Sequence, residues 1–318
     1  YKVKTYDPQK YKTCKILHVI DIPYTNLYAT KGMVSLLFKK KYQNFFMVGE
    51  PRNVAVWTLA ILKRLFFRSK RLYFWAHGWY GIFIYGQYAK DLMIKKGFDE
   101  NKIFVIHNSL DYAKQLILRN SLSVSSIYKQ HFGNDNPVLI FIGRLTEVKR
   151  LDMLISVMAL LNKEVEKYNL VFVGDGSMRE SLEKQVGNLN LQNKVWFYGA
   201  CYDEKKNAEL IYNADLCIAP GNVGLTAIHS MMFGTPVISH DNFMYQMPEF
   251  EAIDSGITGD FFKYGDEKSL CDTISKWFFS HLYDRDEVRK NCFKKIDDSW
   301  NPNYQIEVIN KNLRLYEI

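Results

Sequence analysis

Cysteine is scarce in this chain. Five residues among 318 (Cys14, Cys201, Cys217, Cys271, Cys292) are scattered, odd in number and without a C-x-x-C pair. That argues against a disulfide framework and for a reducing compartment. No group of His, Cys, Asp or Glu shows metal-ligand spacing, so no metal and no cofactor are expected. No apolar run approaches the roughly 20 residues that cross a bilayer. No secretory signal is visible, and a cytoplasmic protein is expected. A full G-x-G-x-x-G is also missing: Gly174-Asp175-Gly176 after a strand is half of a dinucleotide fingerprint, weak on its own. There is no known nucleic-acid motif and no basic stripe shared by both halves, so nucleic acid is not an expected partner.

What is present is apolar, aromatic and unevenly charged. Hydrophobic residues make up 47%, enough for substantial cores, and the length suggests two domains. Residues 1–136 hold 22 Lys/Arg against 8 Asp/Glu, net +14, and residues 137–318 hold 20 against 26, net −6. A basic half joined to an acidic half predicts that the first meets something anionic.

Strand and helix patterns alternate along the chain. In the first half, Lys15 to Asp21, Asn44 to Gly49, Leu72 to Ala76 and Lys102 to His107 read as strands, with helices over Val34 to Tyr42, Val54 to Arg71 and Tyr88 to Lys96. Ile82 to Gly86 also reads as a strand, yet it follows the preceding one too closely for a parallel crossover of a dozen residues. The spacing predicts either a hairpin or, in preference, a segment absent after Gly81. Leu116 to Gln130 reads as one connecting helix, and Gly133-Asn134-Asp135-Asn136-Pro137 marks a boundary. From Val138 the alternation is regular: strands at 138–143, 170–174, 195–199, 215–219 and 236–239, with helices at Leu151 to Leu161, Met178 to Val186, Lys205 to Tyr212 and Leu225 to Phe233. This is the signature of a parallel α/β sheet. A final helix is expected over Tyr304 to Tyr316.

One stretch organises the rest. Pro220-Gly221-Asn222-Val223-Gly224 carries a strand into a helix, bringing free N–H groups and the positive end of the helix dipole to one point. Alone it is an ordinary strand-to-helix turn. The loop Gly143-Arg144-Leu145-Thr146-Glu147-Val148-Lys149, after the first strand of the same sheet, adds a guanidinium and an ammonium five residues apart. Two cations and a helix start at the carboxyl ends of parallel strands suit a diphosphate.

These pieces, in their order, resemble glycosyltransferase family 4, the retaining group 1 enzymes of GT-B fold. They are GRLTEVK, VGDGSMRESL, VWFYG, GLTAIHSMMFGTPVIS and MPE, within about residues 138 to 300; residues 1–111 fit in outline only. The resemblance implies an α/β fold of two facing Rossmann-like domains with parallel sheets and a deep cleft between them. The expected divisions are 1–111 for acceptor binding, 112–136 as connector, 137–300 for donor binding, and 301–318 as a helix packing back toward the first domain. It implies a nucleotide-diphosphate sugar donor, UDP-linked, and a hexosyl or N-acetylhexosaminyl transfer without metal. By this likeness Arg144 and Lys149 hold the diphosphate beside Gly143 and Gly174. Tyr198 and Gly199 border the base, and Gly221, Asn222, Val223, Gly224, Leu225 and Thr226 hold phosphates and sugar. His77 is the catalytic candidate, and Tyr24, Thr25 and Asn26 stand where the acceptor loop belongs.

The chain departs from the pattern in one place. The family's two glutamates, eight residues apart, are replaced by Gly221 and His229. Glycine offers no side chain, whereas an imidazole nitrogen of His229 can take a ribose hydroxyl. A UDP-sugar 2-epimerase and a non-catalytic nucleotide-sugar binder stay open as alternatives. An epimerase needs acidic groups, for which the loops offer Asp21, Asp241 and Glu249. Lys39 to Lys41, and Lys63, Arg64, Arg68, Lys70 and Arg71 at the end of an apolar helix, fit an anionic membrane surface. The expectation is a peripheral enzyme at the inner membrane face, acting on a lipid-linked glycan.

Overall fold

The structure is a computed structural model, and it describes residues 19–21, 44–48, 71–74, 82–163, 168–281 and 284–312. By contacts the chain divides into two compact units. The first is Tyr1–Ile106 with Asn303–Ile318, and the second is His107–Pro302.

The first unit carries a five-stranded sheet in the order β1 (Val19–Asp21), β2 (Asn44–Val48), β3 (Arg71–Phe74), β4 (Ile82–Ile84), β5 (Ile103–Val105). All neighbours are parallel. The pairing of Phe74 with Ile82 in parallel overturns the hairpin considered for that point. The junction at Gly81 lies outside the described residues. Helix α1 (Gln87–Lys95) follows β4.

The second unit starts with two helices rather than one: α2 (Tyr112–Ser121) and α3 (Ile127–Phe132). The expected single connector therefore belongs to this unit. Ser125 breaks it, its N–H donating to Asn213 Oδ1 and its hydroxyl to Glu209. A left-handed Gly133 closes α3, as the turn-rich cluster predicted.

A six-stranded parallel sheet follows. Its spatial order is β11-β10-β9-β6-β7-β8, with β6 Val138–Ile142, β7 Asn169–Val173, β8 Val195–Gly199, β9 Leu216–Ala219, β10 Val237–His240 and β11 Gly259–Phe262. Read from the β8 edge, three strands run back to β6 and three run on from β9, which is the doubly wound order of a dinucleotide-binding sheet. Every residue of β6, β7, β9 and β10 is buried. That is why these strands read as unbroken apolar runs instead of alternating.

Helices α4 (Leu151–Leu161), α5 (Arg179–Asn188), α6 (Glu204–Asn213), α7 (Thr226–Met232), α8 (Glu267–Ser280) and α9 (Arg285–Ser299) flank the sheet, and α10 (Pro302–Asn312) follows. Two of the starts carry an aspartate cap: Asp203 on Lys205 N–H and Asp266 on Ser269 N–H. α8 packs on α4 and α9 on α7. The end opposite the ligand loops is tied by Asp215, whose carboxylate takes the Val138 N–H at 2.7 Å and pairs with Arg285.

Candidate active site

In a sheet of this order the strand direction of winding reverses between β6 and β9, and ligands bind outside the carboxyl ends of strands at that point. The loop after β6 holds Arg144 and Lys149. The turn after β9 holds residues 220–225. The topology therefore brings together the two segments singled out in the sequence.

They interlock through backbone. A Cβ built on Gly221 would lie 2.0 Å from the Val148 carbonyl oxygen and 2.7 Å from Lys149 Cα, and Gly221 N–H donates to Lys149 O at 3.0 Å. No side chain fits there without moving that loop. The space beside position 221 is taken by the short helical turn Glu147–Lys149. Gly174 has the same requirement, its Cβ position lying 1.9 Å from the Gly143 carbonyl oxygen.

Lys149 is half-buried. Its Nζ donates to the Asn222 carbonyl at 2.7 Å and to Asn222 Oδ1 at 2.8 Å. Burial lowers its pKa and the nearby Arg144 guanidinium adds to this, while the Glu249 carboxylate works the other way. Arg144 is exposed and makes no ion pair among the described residues. Thr226 is buried, and its hydroxyl donates to Ile142 O at 2.9 Å. That side chain locks the start of α7 to the end of β6, so only its backbone is left for a ligand. Leu225 is exposed, whereas Val223 and Gly224 are buried.

His229 does not stand alone. Its Nε2 lies 2.9 Å from Glu204 Oε1, which also accepts from Gln115 Nε2 at 2.7 Å. Burial works to raise the Glu204 pKa, but hydrogen bonds from His229, Gln115 and Asn207 outweigh it and hold the carboxyl below its ordinary range. One ring nitrogen, Nε2, is thus committed to Glu204. On β8, Tyr198 packs edge-on against Trp196, with Gly199 beyond it in a positive-φ conformation.

Several site residues escaped the sequence. Glu204 and Gln115 form one group. Gln246 is another: its side chain bonds to Val223 N–H at 2.9 Å. Glu249, named in the sequence as one of three loop acids an epimerase could use, is 2% exposed and accepts from Asn108 Nδ2 at 2.6 Å. The MPE match also marked its position, and nothing in the sequence marked Gln246. His77 and the Tyr24, Thr25, Asn26 loop lie outside the described residues. Among the described residues no group of three or more His, Cys, Asp or Glu is placed to hold a metal ion.

The family model described as glycosyl transferases group 1 matches residues 123–295, more than half of the 318. The chain belongs to the group 1 glycosyl transferases. It is 29% identical over 153 residues to the glycosyltransferase EpsD of Bacillus subtilis (strain 168), covering 47% of this chain and 38% of that protein. Against the mannosylfructose-phosphate synthase of Agrobacterium fabrum it is 31% identical over 166 residues, 48% of this chain and 33% of that one. The chain thus matches only about a quarter to two fifths of the length of these curated relatives. Among solved structures, Anabaena Alr3699/HepE in complex with UDP superposes with a TM-score of 0.68 at 18% identity, over 90% of this chain and 82% of that one. A glycosyltransferase from Rickettsia africae ESF-5 gives 0.70 at 16%, over 97% and 87%. The group 1 transferase is accordingly an α/β protein of GT-B fold.

Proposed function

We propose that this transferase moves a hexosyl or N-acetylhexosaminyl group from a nucleotide-diphosphate sugar, UDP-linked, to a lipid-linked or polysaccharide acceptor, with retention, as a family 4 enzyme of surface glycan synthesis. The observation that carries the donor assignment is the Lys149 ammonium. It is half-buried at the reversal point of the sheet, and among the described residues its hydrogen bonds go only to the neutral oxygens of Asn222. An anion brought there would be its hydrogen-bonded counter-charge. In glycosyl transfer the bond from the sugar to the diphosphate breaks, and negative charge grows on the leaving phosphate oxygen. Lys149 and Arg144 neutralise it, and the N–H groups at the start of α7 face the same place. These residues handle the leaving-group charge without help from a metal.

The solved HepE structures include complexes with UDP and with UDP-glucose, which supports the donor class. His229 Nδ1 is assigned to a ribose hydroxyl, with Glu204 fixing the ring. His77 and the loop Tyr24 to Asn26 enter through the family resemblance alone, as catalytic and acceptor candidates.

The donor is tested with a panel of UDP- and GDP-sugars. One UDP-sugar should raise the melting temperature, and free nucleoside diphosphate should appear once acceptor is added. No shift with any of them, and no release, would sink the proposal. The membrane part rests on the net charge of +14 in residues 1–136. Each cation near an anionic leaflet contributes about 1 kcal/mol, decaying over a Debye length. Co-sedimentation should need anionic vesicles, fall with salt, and drop when Lys63, Arg64, Arg68, Lys70 and Arg71 are neutralised.

A further inference from the structure

Residues 241–247 connect β10 to the short helical turn Pro248–Ala252. Met244, Tyr245 and Met247 of this loop face solvent. Gln246 faces the other way. Its Oε1 accepts the Val223 N–H at 2.9 Å, and its Nε2 donates to Ser239 Oγ at 2.8 Å and to His240 O at 3.1 Å. Ser239, fully buried, donates its hydroxyl hydrogen bond to Ala219 O at 2.9 Å. One amide therefore joins the ends of β9 and β10 to the middle of the glycine turn.

The Asn222–Val223 peptide is gripped at both ends. Lys149 holds its carbonyl and Gln246 holds its N–H. A peptide group is planar, so these two contacts fix its tilt, and with it the direction in which the flanking N–H groups point. Val223 is 0% exposed, so its N–H has no water to fall back on.

We infer that Gln246 is a positioning residue for donor binding, orienting the 222–224 backbone toward the diphosphate. The inference rests on the donor assignment above. It has a specific consequence. A phosphate that draws the Lys149 ammonium toward itself weakens the grip on the Asn222 carbonyl. Gln246 is then the remaining hold on that peptide. Its contribution is greatest in the liganded state, so its loss should tell on nucleotide binding more than on the stability of the free protein.

The experiment is calorimetric titration of UDP, and separately of GDP, into the full chain. It compares the native sequence with Lys149→Ala, Gln246→Ala and Gln246→Met, and measures the melting temperature of each without nucleotide. Gln246→Met keeps the length and packing of the side chain and serves if the alanine variant folds poorly. For whichever nucleotide the native chain binds, both Gln246 variants should bind about tenfold more weakly, with a melting temperature lowered by less than about 10 °C, the cost of one unpaired buried N–H. Native-like affinity in Gln246→Met while Lys149→Ala binds weakly would overturn the inference and leave the donor site standing. A melting temperature lowered by about 10 °C or more without nucleotide would make Gln246 a general clamp and overturn it as well. If Lys149→Ala binds as the native chain does, or the native chain binds neither nucleotide, the donor assignment falls and the inference with it.

Discussion

Two glycine-bearing turns leave the strands on either side of β6 in the second sheet. The turn after β7 carries Gly174, and the turn after β9 carries Gly221. In both, the glycine is dictated by an adjacent backbone: a Cβ would sit 1.9 Å from the Gly143 oxygen in one case and 2.0 Å from the Val148 oxygen in the other. The turns differ in their cations. Beside Gly174, Arg179 is already spent on Asp175 at 3.3 Å and Glu183 at 2.8 Å. Beside Gly221, the hydrogen bonds of Lys149 among the described residues go only to neutral oxygens. The glycines thus report how tightly loops pack, and the uncommitted ammonium reports where an anion goes.

That contrast is broken most directly by exchanging the cations for alanine. Lys149→Ala should lower kcat/KM by two to three orders of magnitude, about 3–4 kcal/mol of lost transition-state stabilisation. Arg179→Ala, removing a surface ion-pair ladder, should change kcat/KM less than about threefold. Comparable losses in steady-state kinetics would mean the two turns are not different in kind.

The glycines should show the reverse, a shared cost in stability. Gly221→Ala and Gly174→Ala should each destabilise by roughly 2–4 kcal/mol, because the clash is with backbone and the neighbouring loop has to move. Denaturant unfolding measures this. Gly221→Glu, which restores the family's residue, should lose stability rather than gain activity. A well-folded and faster Gly221→Glu enzyme would show that the loop yields easily.

A smaller effect concerns pH. Burial lowers the Lys149 pKa, so this cation loses its proton below the ordinary lysine range, and with it its hold on the leaving group. The alkaline limb of kcat/KM should therefore lie below about pH 10.4 and vanish from the profile of Lys149→Arg. The smallest effect is at Glu204. Its folded pKa is depressed, so its stabilisation is present above the unfolded carboxyl range and is lost as pH falls through the folded value. Glu204→Gln should melt about 1–2 °C below native at neutral pH, the size expected of a part-exposed pair. The gap should close under acid.

Much of the second unit was legible because four of its six strands are buried along their whole length and read as unbroken apolar runs. Helix Leu151–Leu161 and strand Val195–Gly199 fall where the periodicity put them. Nothing was predicted for β11, α8 or α9, the two helices being rich in charge. The cations and the glycine turn were legible because charge and φ-tolerant residues are local features. The partners that orient them were not. Gln246, Glu204 and Gln115 look like ordinary surface polar residues until the sheet order sets them against Val223 and His229. The single connector helix failed for the same reason, since the break at Ser125 is made by Asn213 and Glu209, far along the chain.

The sheet order has a consequence for how the site is born. Arg144 and Lys149 follow the central strand β6, while the turn follows β9 and its clip follows β10, about 75 and 100 residues later in synthesis. An emerging chain therefore carries its cations well before the surface that aims them. Each is an ordinary solvated charge until β9 docks beside β6 and Thr226 closes on the Ile142 carbonyl. Anion recognition then arrives in one step with the folding of the sheet, and no fragment that stops short of β10 should possess it in part.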